Sequence, residues 1–400
     1  MQITDIVYRK DLYPRFEPSH KTIQKYSESI EFLPPILVNQ DNILIDGFHR
    51  WKAHELAEVT EIKTEVVQAT EQEVKILAYK TNSIHGLQLT RAEKKKFAIE
   101  MFGVIAEAEI MEILSVEKSA VYSWTEDKRK AAKEDRNRQI LDLYLRCNTQ
   151  QEIADAIDTP QKTIDDQIKK FSDNSENGKL ANLFLYNIWN TPKQNTGDEG
   201  HFGSFPYVFM ENLLHYHTEP FDIVYDPFAG GGTTVDTCRK MNRRFICSDR
   251  KVKPGREDDI ISHDVNEGLP EKLKGKTVDM AFLDPPYWLQ AEGMYSDDSE
   301  DLGNMSLDEF NSSMEKLLTD LTAKKTKRIA IVIQPTQYKN DWNWQDHVFD
   351  FAKMLPDYKI EMRYILPYST QQYNAQMVEK AKEGKHCLCL NRDLIVWSLK

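Results

Sequence analysis

Two short runs of this chain combine residue types that can activate an amine beside a bound nucleoside. The first is Asp226-Pro227-Phe228-Ala229-Gly230-Gly231-Gly232-Thr233-Thr234, entered from the apolar run Phe221-Asp222-Ile223-Val224-Tyr225. The second is Asp284-Pro285-Pro286-Tyr287, entered from Val278-Asp279-Met280-Ala281-Phe282-Leu283. Consecutive glycines remove every Cβ where a strand turns into a helix, so backbone can approach a ligand closely. A helix from Thr233 to about residue 242 would present N–H groups and a positive dipole end to an anionic or polar group. Asp249 closes the next strand, roughly twenty residues past the glycines, where nucleotide-binding sheets place an acid on ribose hydroxyls. Asp264, in Ser262-His263-Asp264, is a second acid, suited to an adenine amino group. The spacing describes an adenosine-type site.

The second run supplies the reaction. An exocyclic amine on a nucleobase is a poor nucleophile, because its lone pair is delocalised into the ring. Acceptors set against its two N–H bonds, here the Asp284 carboxylate and the Pro285 carbonyl, favour a pyramidal nitrogen whose lone pair can attack. Pro285 and Pro286 hold the carbonyls rigidly, and Tyr287 offers a ring on which an extruded base can stack. No strong base is needed before attack.

Each run follows a short β-branched and aromatic strand, and such loops lie at the carboxyl edge of an open α/β sheet. Residues 180–400 resemble the amino-methylating DNA methyltransferases. The first run is similar to their cofactor motif and the second to their catalytic motif. His201-Phe202-Gly203-Ser204-Phe205-Pro206 looks like the segment that packs on the methionine end of their cofactor. The resemblance implies a Rossmann-like sheet, S-adenosylmethionine as cofactor and DNA as substrate. It implies Phe205, Pro206, Asp226, Pro227, Phe228, Gly230, Gly232, Thr233, Asp249 and Asp264 as cofactor-binding residues. Asp284, Pro285, Pro286 and Tyr287 would be catalytic. The glycine motif precedes the catalytic one, unlike the permuted members of the family. Asp at the first catalytic position is typical of adenine-N6 enzymes, whereas cytosine-N4 enzymes usually carry Ser.

A chain of 400 residues is too long for one ordinary core. Hydrophobic content of 40% and charged content of 29% describe a globular protein. No apolar run approaches a membrane span, and the N-terminus lacks a signal peptide's regions, so a cytoplasmic protein without membrane contact is expected. The net charge of -12 requires any DNA-binding surface to be local. Lys94-Lys95-Lys96 and residues 128–138 are the candidates, as phosphate contacts or as solvated helix faces. The cysteines (Cys147, Cys238, Cys247, Cys387, Cys389) show no paired spacing. They read as reduced core thiols, with Cys387 and Cys389 on one side of a strand and no metal site.

Residues 1–88 form a small α/β unit. A turn at Tyr13-Pro14-Arg15 precedes a helix over 21–30 and two short strands, the second leading into Asp46-Gly47-Phe48-His49-Arg50-Trp51. This resembles the N-terminal domain shared by ParB partition proteins and sulfiredoxin, whose Gly-x-x-Arg box cradles nucleotide phosphates. Gly47, His49 and Arg50 fall on that box, and Thr81-Asn82-Ser83-Ile84-His85-Gly86 aligns with the partition proteins' Glu-Asn-x-x-Arg motif. The resemblance thus offers Gly47, His49, Arg50 and Asn82 as contacts for CTP, ATP or DNA. Thr81 stands where the pattern has an acid, and Gly86 lies near the position of its arginine, which argues against hydrolysis. Sulfiredoxin's catalytic cysteine is absent from this stretch. The alternative is a docking or DNA-positioning module whose Arg50 closes a salt bridge.

Residues 89–171 read as all-helical, with two successive helix-turn-helix candidates. In the first, 107–114 supports and 117–124 reads. In the second, 150–157 supports and 161–169 reads, with Thr149 as the capping residue. Asp165 and Asp166 on the second reading helix oppose DNA contact, so one copy would touch DNA and the other pack or dimerise, making a homodimer possible. The alternative is a helical spacer. A polar linker over 172–179 then leads to the methyltransferase domain, 180–400. Past the catalytic run, 288–304 reads as a lid over the base or a surface loop, its acids pointing away from phosphate. Two apolar runs, 386–390 and 394–398, flank Asn391-Arg392 and read as a terminal hairpin. Residues 336–376, rich in Trp, Tyr and Gln, suit base readout or a core.

The function expected is methyl transfer to the exocyclic amine of a flipped DNA base, adenine N6 first. Cytosine N4, RNA guanine N2, and a CTP-dependent DNA-binding switch with a vestigial methylase are the alternatives.

Overall fold

A computed structural model describes residues 1–15, 17–84, 89–173, 180, 182–190, 205–289, 298–337, 340–368 and 373–400. The chain forms two compact units, Met1–Asp135 and Arg136–Lys400.

In the first unit, a small sheet of β1 (Ile36–Asn39), β2 (Leu44–Asp46) and β3 (Thr64–Val67) has the order β2-β1-β3. The pairing is antiparallel on one side of β1 and parallel on the other. Helices α1 (His20–Ser27) and α2 (Phe48–Leu56) accompany it, and α3 (Glu71–Ile84) follows. Gly47 stands between β2 and α2 at φ 105°, and a Cβ there would lie 2.5 Å from Ile36. No other residue fits so sharp an entry to the helix. Next come α4 (Arg91–Met101), α5 (Glu107–Leu114) and α6 (Lys118–Trp124), built around Tyr79, Phe97, Ile110, Leu114, Val121 and Trp124. Helix α7 (Glu126–Leu145) crosses into the second unit.

The second unit begins with the rest of α7, then α8 (Gln150–Ala156) and α9 (Gln161–Asp173). Thr149 and Glu152 close a reciprocal capping box on α8, fixing its start as the sequence anticipates. Ile140, Ile153, Ala154, Ile164 and Ile168 form the small core of these helices.

The main sheet follows. Its strands are β4 (Ile223–Asp226), β5 (Arg244–Asp249), β6 (Ile260–Ser262), β7 (Met280–Leu283), β8 (Arg328–Ile333), β9 (Tyr358–Pro367) and β10 (Asn391–Leu399). Their order is β6-β5-β4-β7-β8-β10-β9. All neighbours run parallel except at β10, which is antiparallel to both β8 and β9. The sheet is therefore α/β and Rossmann-like, with an antiparallel edge. Helices α10 (Tyr207–His217), α11 (Thr233–Lys240), α12 (Leu307–Ala323), α13 (His347–Met354) and α14 (Ala375–Gly384) complete the unit.

Strand alternation divides the core in two. Ile329, Ile331 and Ile333 of β8 join Phe310, Met314, Leu317, Leu318 and Leu321 of α12 on one face. Ala330 and Val332 join Phe209, Met210, Leu213 and Leu214 of α10 on the other. Successive strand residues face opposite ways, and α12 spaces its apolar residues by three and four, so both layers follow from the sequence period. Burial of each such side chain stabilises the fold by about 1.5–3 kcal/mol.

Three expectations need correction. The strand partner of the C-terminal run is β9, not residues 386–390, which form no strand. Asn391 and Arg392 accordingly lie within β10 rather than in a turn. Cys387 is exposed while Cys389 is buried, so the two do not share an inward face. Residues 336–376 are largely spent on α13 and β9, with Phe351, Tyr358, Tyr364 and Leu366 buried. No helix among the described residues is long and apolar enough to cross a membrane.

Candidate functional site

Strand order dictates where the site lies. From β4 the chain moves outward to β5 and β6, then returns to β7 on β4's other side. The crevice at the carboxyl ends of β4 and β7 is the switch point where such sheets bind ligands. Both motif loops begin there, and a cavity of about 690 Å³ opens between them.

The glycine loop is held from inside. Asp226 ends β4 nearly fully buried; its carboxylate accepts from the Phe228 N–H at 2.9 Å and from the Thr234 hydroxyl. Burial pushes this carboxyl up to about 7, opposed by those two donors. Gly230 donates its N–H to Asp249 Oδ2 at 2.8 Å, so the acid at the end of β5 also clamps the turn. Gly232 caps α11 at φ 93°, and a Cβ there would stand 3.1 Å from the Arg256 guanidinium.

Two acids face the cavity, Asp249 and Asp264. Asp249 accepts N–H bonds from Gly230 and Lys251, one on each oxygen. Asp264 accepts from the Asn266 N–H at 2.8 Å through Oδ1, and its Oδ2 lies 3.2 Å from Arg250 Nε. Ionised carboxylates are acceptors only, the chemistry that a ligand hydroxyl or amine requires. Phe205, Phe228, Val252, Val265 and Phe282 supply apolar wall.

Beside the glycine loop, Asp284 leaves β7, the strand next to β4. Burial pushes its carboxyl up to about 6, against the opposing pull of the Arg392 guanidinium and the Tyr287 hydroxyl. Tyr287 donates to Asp284 Oδ1 at 3.0 Å. Its ring, expected to offer a free stacking face, is partly buried against the core. Trp288 anchors the next residues by donating to the Met305 carbonyl at 3.0 Å, while its own carbonyl accepts from Thr336.

Of the residues singled out in the sequence, Phe205, Asp226, Pro227, Phe228, Gly230, Thr233, Asp249, Asp264, Asp284 and Pro286 line the cavity. Pro206, Gly232, Pro285 and Tyr287 do not line it. Pro206 is the N-cap of α10, and Gly232 is the N-cap of α11. His201 to Ser204, and Met294-Tyr295-Ser296 with Asp297 in the expected lid, lie outside the described residues. The remaining acids of that stretch do not point away from the site. Asp298, Glu300 and Asp301 line the cavity, and Arg250 ties Asp298 at 2.5 Å and Glu300 at 3.6 Å.

Sequence reasoning missed Arg250 and Arg392. The position of Arg250, directly after the ribose-type acid Asp249, was available as a signal. Arg392 had none, because its run read as a turn.

In the first unit, Gly47, His49 and Arg50 come together at the start of α2, and Asn82 lies on α3. Arg50 Nη2 bonds Asp46 at 2.6 Å, and its Nη1 donates to the carbonyls of Pro34 and Pro35. His49 Nε2 accepts the Ser19 N–H at 2.9 Å, and burial, with Arg15, lowers its basicity. Asn82 donates back to the Ala78 carbonyl. Gly86 lies outside the described residues. Arg50 thus makes the salt bridge that the docking alternative requires.

Both helix-turn-helix candidates are helix pairs, α5–α6 and α8–α9, with left-handed turn residues Ser115 and Asp158 between them. Asp165 accepts from Gln150 of α8 at 3.1 Å and pairs with Lys169, so one of the acids counted against DNA contact joins the two helices. Among the described residues no cluster of His, Cys, Asp and Glu could hold a metal ion.

A family model described as DNA methylase, of the N6/N4 amino-methylating kind, matches residues 4–253, more than half of the chain. That span contains the glycine loop and ends before Asp284. A stretch of 46 residues is 41% identical to the Type II methyltransferase M.XycI of Xanthomonas campestris pv. cyanopsidis, covering 12% of this chain and 15% of that protein. The chain is similar to the partitioning protein ParB of Caulobacter crescentus, solved with its parS site, at 21% identity over 31% of this chain and 67% of that one, TM-score 0.25. It is similar to a putative RNA methyltransferase of Pyrococcus horikoshii at 11% identity, covering 50% of this chain and 87% of that one, TM-score 0.30. Likenesses of this degree to solved structures do not bear on function. The family match does: the chain belongs to the DNA methylase family.

Proposed function

We propose that this member of the DNA methylase family transfers a methyl group from S-adenosylmethionine to the exocyclic amine of a DNA base turned out of the helix, adenine N6 above cytosine N4. The observation that carries the reading is the convergence of the glycine loop, Asp249, Asp264 and the Asp284 loop on one cavity. The residues present fit the cofactor. Asp249 suits ribose hydroxyls and Asp264 the adenine amine. Phe205, Phe228, Val252 and Val265 suit apolar and aromatic parts of the ligand. When bound, S-adenosylmethionine supplies an electrophilic methyl group on a sulfonium centre.

The protein's part is to orient the amine and accept its hydrogens. Asp284 takes one N–H; the Pro285 carbonyl, off the cavity wall in this structure, takes the other once the base enters, and the nitrogen lone pair is freed to attack. Methylation leaves a surplus proton on nitrogen, and a carboxylate pushed up to about 6 is a ready acceptor on its way to water. Tyr287 must release Asp284 Oδ1, or leave the amine to Oδ2, when the base enters.

The first unit supports a DNA-positioning module of the partition-protein type. With Arg50 and His49 both engaged, it lends little to a CTP-driven switch. Titration of CTP and ATP with magnesium tests this directly; tight binding would restore the switch. The setting proposed is the cytoplasm.

The test is transfer of label from S-adenosylmethionine to double-stranded DNA, single-stranded DNA and total RNA, followed by digestion and mass identification of the nucleoside. N6-methyladenine in DNA is expected. N4-methylcytosine would correct the base, and label in RNA alone would overturn the reading.

A further inference from the structure

Arg392 is the group near the site that the mechanism leaves unused. It is 4% exposed, yet among the described residues its Nε and Nη2 have no hydrogen-bond partner. A buried guanidinium with idle donors is costly to keep, and such a charge is retained where something uses it. The neighbouring acid Asp393 does not neutralise it, being bonded to Arg363 at 3.0 Å. Topology puts Arg392 where it is. Strand β10 runs antiparallel to β8, so its first residues lie at the sheet edge from which the parallel strands release their loops. Arg392 pairs with Leu366 of β9, and its guanidinium stands 5.1 Å from the Tyr368 ring and 5.9 Å from the Phe205 ring.

Resting on the function proposed above, we propose that Arg392 is a positioning residue of the methyl-transfer site. Its charge keeps Asp284 in the anionic, accepting form inside a desolvating cavity and steadies the Tyr287 hydroxyl against it. A protonated Asp284 would offer a hydrogen where the amine needs an acceptor. Among the described residues, the titratable groups around Asp284 are Arg392 from β10, Tyr287 on its own loop, Asp226 at the end of β4 and Tyr368 just past β9. Arg392 is the cation among these four. Burial drives Asp284 towards the neutral acid, and Arg392 is the largest influence against it.

The experiment compares full-length wild type with Arg392→Gln, Arg392→Met and Arg392→Lys. It measures kcat and KM for methyl transfer to double-stranded DNA from pH 5.5 to 9, with S-adenosylmethionine affinity measured separately. In the wild type the acid limb of kcat should lie near pH 6. In the Gln and Met variants it should move up by about one pH unit, the effect of one nearby charge. Then kcat falls about threefold at pH 6.5 and recovers at pH 8.5. Arg392→Lys, which keeps the charge, should hold the limb near the wild-type position. Affinity for S-adenosylmethionine should change little.

A uniform loss of kcat with the limb unmoved would overturn the proposal, since damage to packing does not recover with pH. So would a Lys variant that behaves like Met. Infrared titration of the carboxyl band, assigned with Asp284→Asn, reads the same shift without turnover. Wild-type protein that transfers no methyl group would defeat the proposed function, and the infrared shift would still decide what Arg392 does to Asp284.

Discussion

Replacing Asp284 by alanine separates binding from chemistry. In the proposed mechanism the carboxylate meets an N–H that becomes more acidic as the methyl group is transferred. Removing one positioned partner of developing charge costs about 2.7–4 kcal/mol, or about 10²–10³ in kcat. Cofactor affinity should stay within about threefold, because the cofactor contacts are assigned to Asp249, Asp264 and the glycine loop rather than to Asp284.

Stability should barely move, for reasons that can be worked through. Asp284 shifts from a usual value of 3.8 to about 6 in the folded protein, so its ionised form is disfavoured there. A raised carboxylate weakens the fold above pH 6, and the penalty fades as the pH falls from 6 towards 4. The ceiling is about 3 kcal/mol, and partial exposure reduces it to about 1–2 kcal/mol. Alanine relieves that burden but removes the Tyr287 hydrogen bond, about 1 kcal/mol, and leaves Arg392 without its carboxylate. These nearly cancel, so Tm at pH 8 should stay within about 4 °C. The assays are single-turnover transfer, calorimetric titration of S-adenosylmethionine, and thermal unfolding. Equal losses of affinity and turnover would refute the assignment, as would turnover within tenfold of wild type.

Gly232→Ala should cost about 1–2 kcal/mol of stability and weaken cofactor binding, because its φ of 93° strains an L residue and the new methyl group would press on Arg256 at 3.1 Å; unchanged Tm would count against a strained turn. Asp226, with its carboxyl at about 7, should hold the glycine loop more firmly at pH 8 than at pH 6. S-adenosylmethionine affinity should therefore fall as the carboxylate protonates, and Asp226→Asn should flatten that dependence; isothermal titration across pH reads both. Arg50→Ala should loosen the first unit by about 1–2 kcal/mol while leaving methyl transfer on short duplexes within twofold; a large loss of turnover would give that residue a direct role.

Much of this was legible in the sequence because the decisive features are short-range. A strand, three glycines and the threonine that begins the next helix fix the first loop within a dozen residues, and Asp-Pro-Pro-Tyr fixes the second. The helix pair α8–α9 declared itself through apolar spacing and its capping threonine for the same reason. The edge of the sheet did not. Strand β9 alternates Lys359, Ile360, Glu361, Met362 and Arg363, a pattern that exposed charge disguises. Without it, the terminal run had no visible partner except its immediate neighbour.

That blindness extends to the electrostatics of the site. Asp284 announces itself by its motif, but the cation that opposes its neutralisation arrives more than a hundred residues later, on a strand of opposite direction. Its place follows from sheet order and register, each of which depends on long-range pairing. A one-residue slip of β10 would turn Arg392 to the other face and bring Asn391 or Asp393 in its stead. An acid there would drive Asp284 further towards its neutral form. The register of β10 on β8 and β9, set by a buried core of Leu394, Ile395, Val396 and Trp397, thus decides which residue stands beside the Asp284 loop.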